Sequence, residues 1–179
     1  MAQASALIEK FPNPASTTVV LTSPLTRTLQ TTIAGFPQII RKGAVGATQL
    51  IIDPDLQERS DLSCVTGSSR AVLEAFPGLD FGGLVNEWFI KEGSYAADDV
   101  VVAERAQRFR DRLRDIVAAL AKDGEESGKR QERNVVVVTH GMFMKSLAED
   151  ESIDLPKAGW KSFTMGNRGY GRAVLIPLQ

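Results

Sequence analysis

Arg27, Glu58 and His140 are the side chains of this sequence whose types and surroundings suit them to act on one ligand. Arg27 lies in the first turn after Thr22-Ser23. There a guanidinium joins the exposed N–H groups and positive end of a helix to make an anion site. Its fork can hold a phosphate or a carboxylate through paired hydrogen bonds. Glu58 follows the apolar run Leu50-Ile51-Ile52, inside Asp53-Pro54-Asp55-Leu56-Gln57-Glu58-Arg59. A phosphate bound beside it would favour its protonated form, the state a general acid needs. His140, the only histidine, adds an imidazole. Ser23, Thr139 and Gly141 flank these residues and are expected to contact the same ligand. Each of the three has a plainer alternative: an exposed arginine, an exposed glutamate, a histidine that caps a turn.

These residues can meet only if strand ends bring them together. Val135-Val136-Val137-Val138 reads as a strand covered on both faces, and Gly141 opens a helical pattern, so His140 sits at a strand-to-helix corner. In open α/β sheets ligands bind at that carboxyl edge. Thr17 to Thr22 is a second short strand, and Ser23-Pro24 is expected to start a helix running to about Ala34. Leu50 to Ile52 is a third strand. Ala2 to Lys10 resembles a helix end, stopped by Pro12 and Pro14. The stretch 55–97 reads as an irregular insertion that covers the site. Trp88, Phe89 and Tyr95 within it either line a pocket or pin the segment to the core.

Asp98 or Asp99 should cap the longest helix, to about Lys122, with Val102, Ala106, Phe109, Leu113, Ile116 and Leu120 on one buried stripe. The arginines at 105, 108, 110, 112 and 114 interleave with Glu104, Asp111 and Asp115, so they read as a solvated, ion-paired face rather than a phosphate site. Asp123 to Arg133 reads as a polar surface loop, and Arg172 to Pro177 as a last strand. Alternating strands and helices imply α/β with a mostly parallel sheet.

Composition narrows the partners. A formal net charge of -1 gives no reason to expect nucleic acid or an anionic membrane surface. One cysteine, Cys64, excludes an intrachain disulfide framework, and with one histidine it leaves no set for a structural zinc site. Cys64 reads as a small packed residue, since no second histidine exists to activate it. No apolar run approaches the roughly 20 residues that span a bilayer, and no signal peptide is evident. A single cytoplasmic domain over 1–179 is expected, with no metal and no cofactor.

The residues singled out resemble those of the histidine phosphatase superfamily, in its phosphoglycerate mutase-like branch. The matching stretches are Leu21-Thr-Ser-Pro-Leu-Thr-Arg-Thr-Leu-Gln-Thr-Thr32, Asp55-Leu56-Gln57-Glu58-Arg59 with Cys64-Val65-Thr66-Gly67, Val137-Val138-Thr139-His140-Gly141, and Gly159-Trp160. They occur in the family's order and cover nearly the whole chain. The resemblance implies a three-layer α/β/α fold and metal-free phosphoryl transfer through a phosphohistidine. In that scheme Arg27 matches the downstream arginine that holds the transferring oxygens, Glu58 the acid, and His140 the second histidine. The sequence departs from the pattern at its front. It has no arginine-histidine-glycine motif, so the nucleophilic histidine, its arginine and the central strand that carries them are expected to be missing. Loss of that strand would leave two unpaired edges, a gap closed by neighbours, or a slot filled by another chain, with a homodimer as one form. Trp160 to Thr164 and Val65 also differ from what relatives often carry.

Three functions fit. The chain is a phosphatase whose given start lies downstream of the true one. Or it keeps an anion pocket for a small phosphorylated molecule without phosphoryl transfer, as a binding or regulatory pseudoenzyme. Or it uses His140 and Glu58 for acid–base chemistry on a non-phosphate substrate.

Overall fold

A computed structural model describes residues 11, 14–40, 48–63, 66–76, 78–126 and 133–178. The helix end expected over Ala2 to Lys10, and Cys64, lie outside them. Three β-branched and aliphatic runs form parallel strands: β1 (Thr17–Thr22), β2 (Gln49–Ile52) and β3 (Asn134–Val138). The order is β2-β1-β3, so β1 is central. Its residues Val19, Val20, Leu21 and Thr22 are all buried. Thr22 pairs with Ile52 on one side and Val138 on the other, which brings the three carboxyl ends level. The ladder runs one step further, with Ser23 N–H donating to the Val138 carbonyl (3.1 Å) and Asp53 N–H to that of Thr22 (2.9 Å).

That extra step corrects one expectation. Ser23 still belongs to the sheet and cannot open a helix, so α1 spans Thr26–Gly35 with Leu25 extended before it. Among its described residues, the segment after β2 holds the short helix α2 (Arg70–Leu73) and 3-10 turns at Pro54–Leu56 and Gly93–Tyr95. Trp88 pins it, fully buried against Leu25, against Leu29 of α1, and against Leu73, Phe81 and Leu84. Gly67 is required there: a Cβ would stand 2.1 Å from the Trp88 ring. Helix α3 (Asp99–Glu126) is capped by Asp98, whose Oδ1 accepts from Val100 (2.9 Å) and Val101 (3.3 Å). It runs past Lys122 into the expected loop, because Asp123 to Glu126 contains nothing that breaks a helix except one tolerated glycine.

Helices cover both sheet faces. Val19 and Leu21 pack on Val102, Ala106, Phe109 and Leu113 of α3 and on Phe143 and Leu147 of α4 (Gly141–Ala148). Val20 and Val136 pack on Phe36 and Ile39 on the other face. This is the three-layer α/β/α arrangement of a phosphoglycerate mutase-like fold. A second sheet, an antiparallel hairpin of β4 (Phe163–Arg168) and β5 (Arg172–Pro177), stands apart. β4 has no clean alternation and was not anticipated. Its partner and the tight turn at Gly169-Tyr170-Gly171, all with positive φ, make it a strand. β3 also differs from expectation. Only Val136 is buried, because the outer edge of β3 pairs with nothing among the described residues. A cavity of about 1590 Å³ runs between that edge and β4.

Candidate anion site at the carboxyl rim of the sheet

The register of β1 and β3 determines who meets at the rim. Ser23 and Thr139 follow paired strand ends, and His140 stands one residue further on, extended, as the residue preceding α4. Arg27 comes back over it from the first turn of α1. Arg27 Nε–H donates to His140 Nδ1 at 3.1 Å, and His140 Nε2 lies 3.0 Å from Ser23 Oγ. An imidazole nitrogen that accepts from a guanidinium carries no proton, so the network assigns the neutral Nε2–H tautomer, donating to Ser23. His140 is 5% exposed. Burial, then the charges of Arg27, Lys91 and Arg105, lower its pKa to about 3.

Glu58 is buried, not exposed. Its Oε1 accepts from the Phe143 amide of the first turn of α4 (3.0 Å) and from the Arg59 amide (2.9 Å). Both bonds fall on Oε1, so a proton on this group would sit on Oε2. Thr139 Oγ1 donates to the Leu56 carbonyl (2.8 Å), tying the Glu58 loop to β3 rather than facing a ligand. Gly141 has open space at its Cβ position. Arg27, Glu58, His140 and Gly141 line one end of the long cavity.

The turn that delivers Glu58 is held by charge. Arg112 Nη2 donates to Asp53 Oδ2 (2.7 Å) and Asp55 Oδ2 (2.8 Å), while Asp53 Oδ1 accepts the Asp55 amide (2.9 Å). Burial raises the Asp53 pKa despite Arg112. Among the described residues no group of three His, Cys, Asp or Glu could hold a metal ion.

The expectation of a solvated arginine face holds for Arg108, Arg112 and Arg114, which are ion-paired at the surface. It fails for Arg105 and Arg110, which are 0% and 1% exposed. Arg105 lies three residues past Val102 and four before Phe109, on the apolar stripe itself, and that spacing was a readable signal. Its guanidinium sits 4.5 Å over the Phe143 ring. Lys91, from the irregular segment, donates from Nζ to the Glu58 carbonyl at 2.8 Å. Burial, then Arg105, lower its pKa to about 8, against Glu58. No local pattern announced Lys91.

Comparison with known families matches the histidine phosphatase superfamily (branch 1) over residues 1–173. Among solved structures, the native structure of mycobacterial glucosyl-3-phosphoglycerate phosphatase is similar, with 20% identity, a TM-score of 0.48, and coverage of 98% of this chain and 82% of that one. No curated protein matches. No helix among the described residues is long and apolar enough to cross a membrane.

Proposed function

We propose that this chain, which belongs to branch 1 of the histidine phosphatase superfamily, binds a small phosphorylated molecule at Ser23, Arg27, Glu58 and His140. In this reading the 179 residues carry an anion pocket, and hydrolysis of a phosphomonoester by them alone is absent or slow. The observation that carries it is the occupied imidazole. His140 Nδ1 already accepts Arg27 Nε–H, so no lone pair of the neutral ring is free to attack phosphorus. The family resemblance asks for two histidines, and these residues hold one.

Chemistry at the pocket follows from the donors present. An entering phosphoryl oxygen would take the Nε2–H of His140 in place of Ser23 Oγ, while the outer nitrogens of Arg27 turn to the same group. Glu58 Oε2 would face the ester oxygen as acid. Thr139 and Gly141 act in this reading as positioning residues for the corner. The pocket end is continuous with the cavity beside β3, and that uncovered edge supports self-association as a homodimer. A cytoplasmic, single-domain protein completes the proposal.

The test is hydrolysis of an activated aryl phosphate by the purified chain, beside His140→Ala and Arg27→Ala. The reading expects turnover at the level of buffer in all three, from folded proteins. Turnover by the wild-type chain that both substitutions remove would contradict it. A reaction on a non-phosphate substrate that His140→Ala abolishes would instead support acid–base use of the same pocket.

A further inference from the structure

Resting on the reading of an anion pocket, we infer that Lys91 and Arg105 complete it into a site for a doubly charged phosphate group, with Lys91 as a direct ligand and Arg105 as the charge that positions it. Arg105 has no exposed surface, and its Nε, Nη1 and Nη2 have no hydrogen-bond acceptor among the described residues. A buried guanidinium without acceptors is a strained arrangement that an anion relieves. Its guanidinium lies over the Phe143 ring, in the first turn of α4, and the Phe143 amide holds Glu58. A helix N-terminus and a cation therefore share one spot, and both favour negative charge.

Lys91, from the segment after β2, reaches the Glu58 loop and bears on Arg105 by charge. Its Nζ has the Glu58 carbonyl as acceptor and two further N–H directions to give. The groups facing it are Arg105 from α3, Arg27 from α1, and Glu58 and Asp61 from the segment after β2. Arg27, Lys91 and Arg105 all bear on His140. Asp55, which also attracts Arg105, is shared with Arg112 and Arg108, and Glu58 Oε1 accepts from two amides. Three cations bear on a neutral imidazole against the carboxylates of Glu58 and Asp61, and the net positive charge favours the more highly charged form of phosphate. Burial first, and then the charge of Arg105, hold the Lys91 pKa down to about 8.

The experiment is calorimetric titration of inorganic phosphate into the folded chain between pH 6 and 9. The inference expects wild-type affinity to rise as phosphate takes its second charge and to fall again near pH 8, as Lys91 loses its proton. Lys91→Met should weaken binding at pH 7 about tenfold or more. Lys91→Arg should restore it and remove the alkaline fall, which a structural role for Lys91 would not produce. Arg105→Met should weaken binding similarly, while Arg114→Met leaves it unchanged. Binding that Arg27→Met abolishes but that the Lys91 and Arg105 variants leave at wild-type strength would overturn this inference alone. No phosphate binding by the folded wild-type chain would overturn it together with the reading beneath it.

Discussion

Arg105 and Arg110 stand five positions apart on α3, both buried, at opposite ends of α4. Arg110 meets the carboxyl end of that helix. Its Nη1 donates to the carbonyls of Ser146 (3.0 Å) and Leu147 (2.9 Å), and its Nη2 to Gln107 (2.8 Å) and Glu149 (3.0 Å). Helix carbonyls left without N–H partners and a negative helix end are what a cation needs. Arg105 meets the amino end, where the same physics is reversed, and it has no acceptor at all. One arginine is part of the fold. The other is a buried charge for which the described residues supply no acceptor.

Stability should separate the two first. Arg110→Met strips the end of α4 of its donors and should cost about 3 kcal/mol. Arg105→Met removes an unpaired buried charge and should cost nothing, or gain about 1 kcal/mol. Urea denaturation without phosphate measures both, and equal losses would break the comparison. Phosphate should then narrow the gap between the two variants. At about one hundred times its dissociation constant it should stabilise the wild-type chain and Arg110→Met by about 2.7 kcal/mol, and Arg105→Met by clearly less.

Acid provides a smaller separation. The folded pKa of His140, about 3, lies below its unfolded value. The contribution is therefore fully present above about pH 6.5 and is lost as pH falls toward 3. Between pH 6.5 and 5.5 that loss is about 1 kcal/mol. His140→Gln should flatten the slope, and Arg105→Met should end it at a higher pH, because easing the repulsion raises the folded pKa of the ring. Arg110 does not act on His140, so Arg110→Met should leave the slope unchanged. The smallest effect is that of Arg114→Ala, a surface pair partner, at under about 0.5 kcal/mol.

Periodicity made much of this legible. β1 and β5 have the bounds their patterns imply, and the buried stripe of α3 follows from its spacing. The corner that holds His140 was readable because a β-branched run ended in a glycine that opens a helix. Arg27, Glu58 and His140 were expected to meet where parallel strands end on one rim, and Arg27 and His140 are in hydrogen-bond contact there. What escaped depends on partners distant in sequence. Arg105 sits in a row of alternating charges where local pairing looked sufficient, although its place on the apolar stripe and the Phe143 ring across the interface set it apart from Arg108. Lys91 belongs to a segment without periodicity, held by Trp88 and by one main-chain carbonyl. β4 owes its form to β5, and half-burial of β3 to an edge that no described strand covers.

Because His140 is the only histidine, nitrogen NMR of its imidazole during a phosphate titration tests the central claim most directly. The account expects a neutral Nε2–H ring in the free chain at pH 6, and a titration that moves upward once phosphate binds, as the surrounding cations gain their counter-charge. A ring that titrates near pH 6.5 in the free chain and ignores phosphate would contradict it.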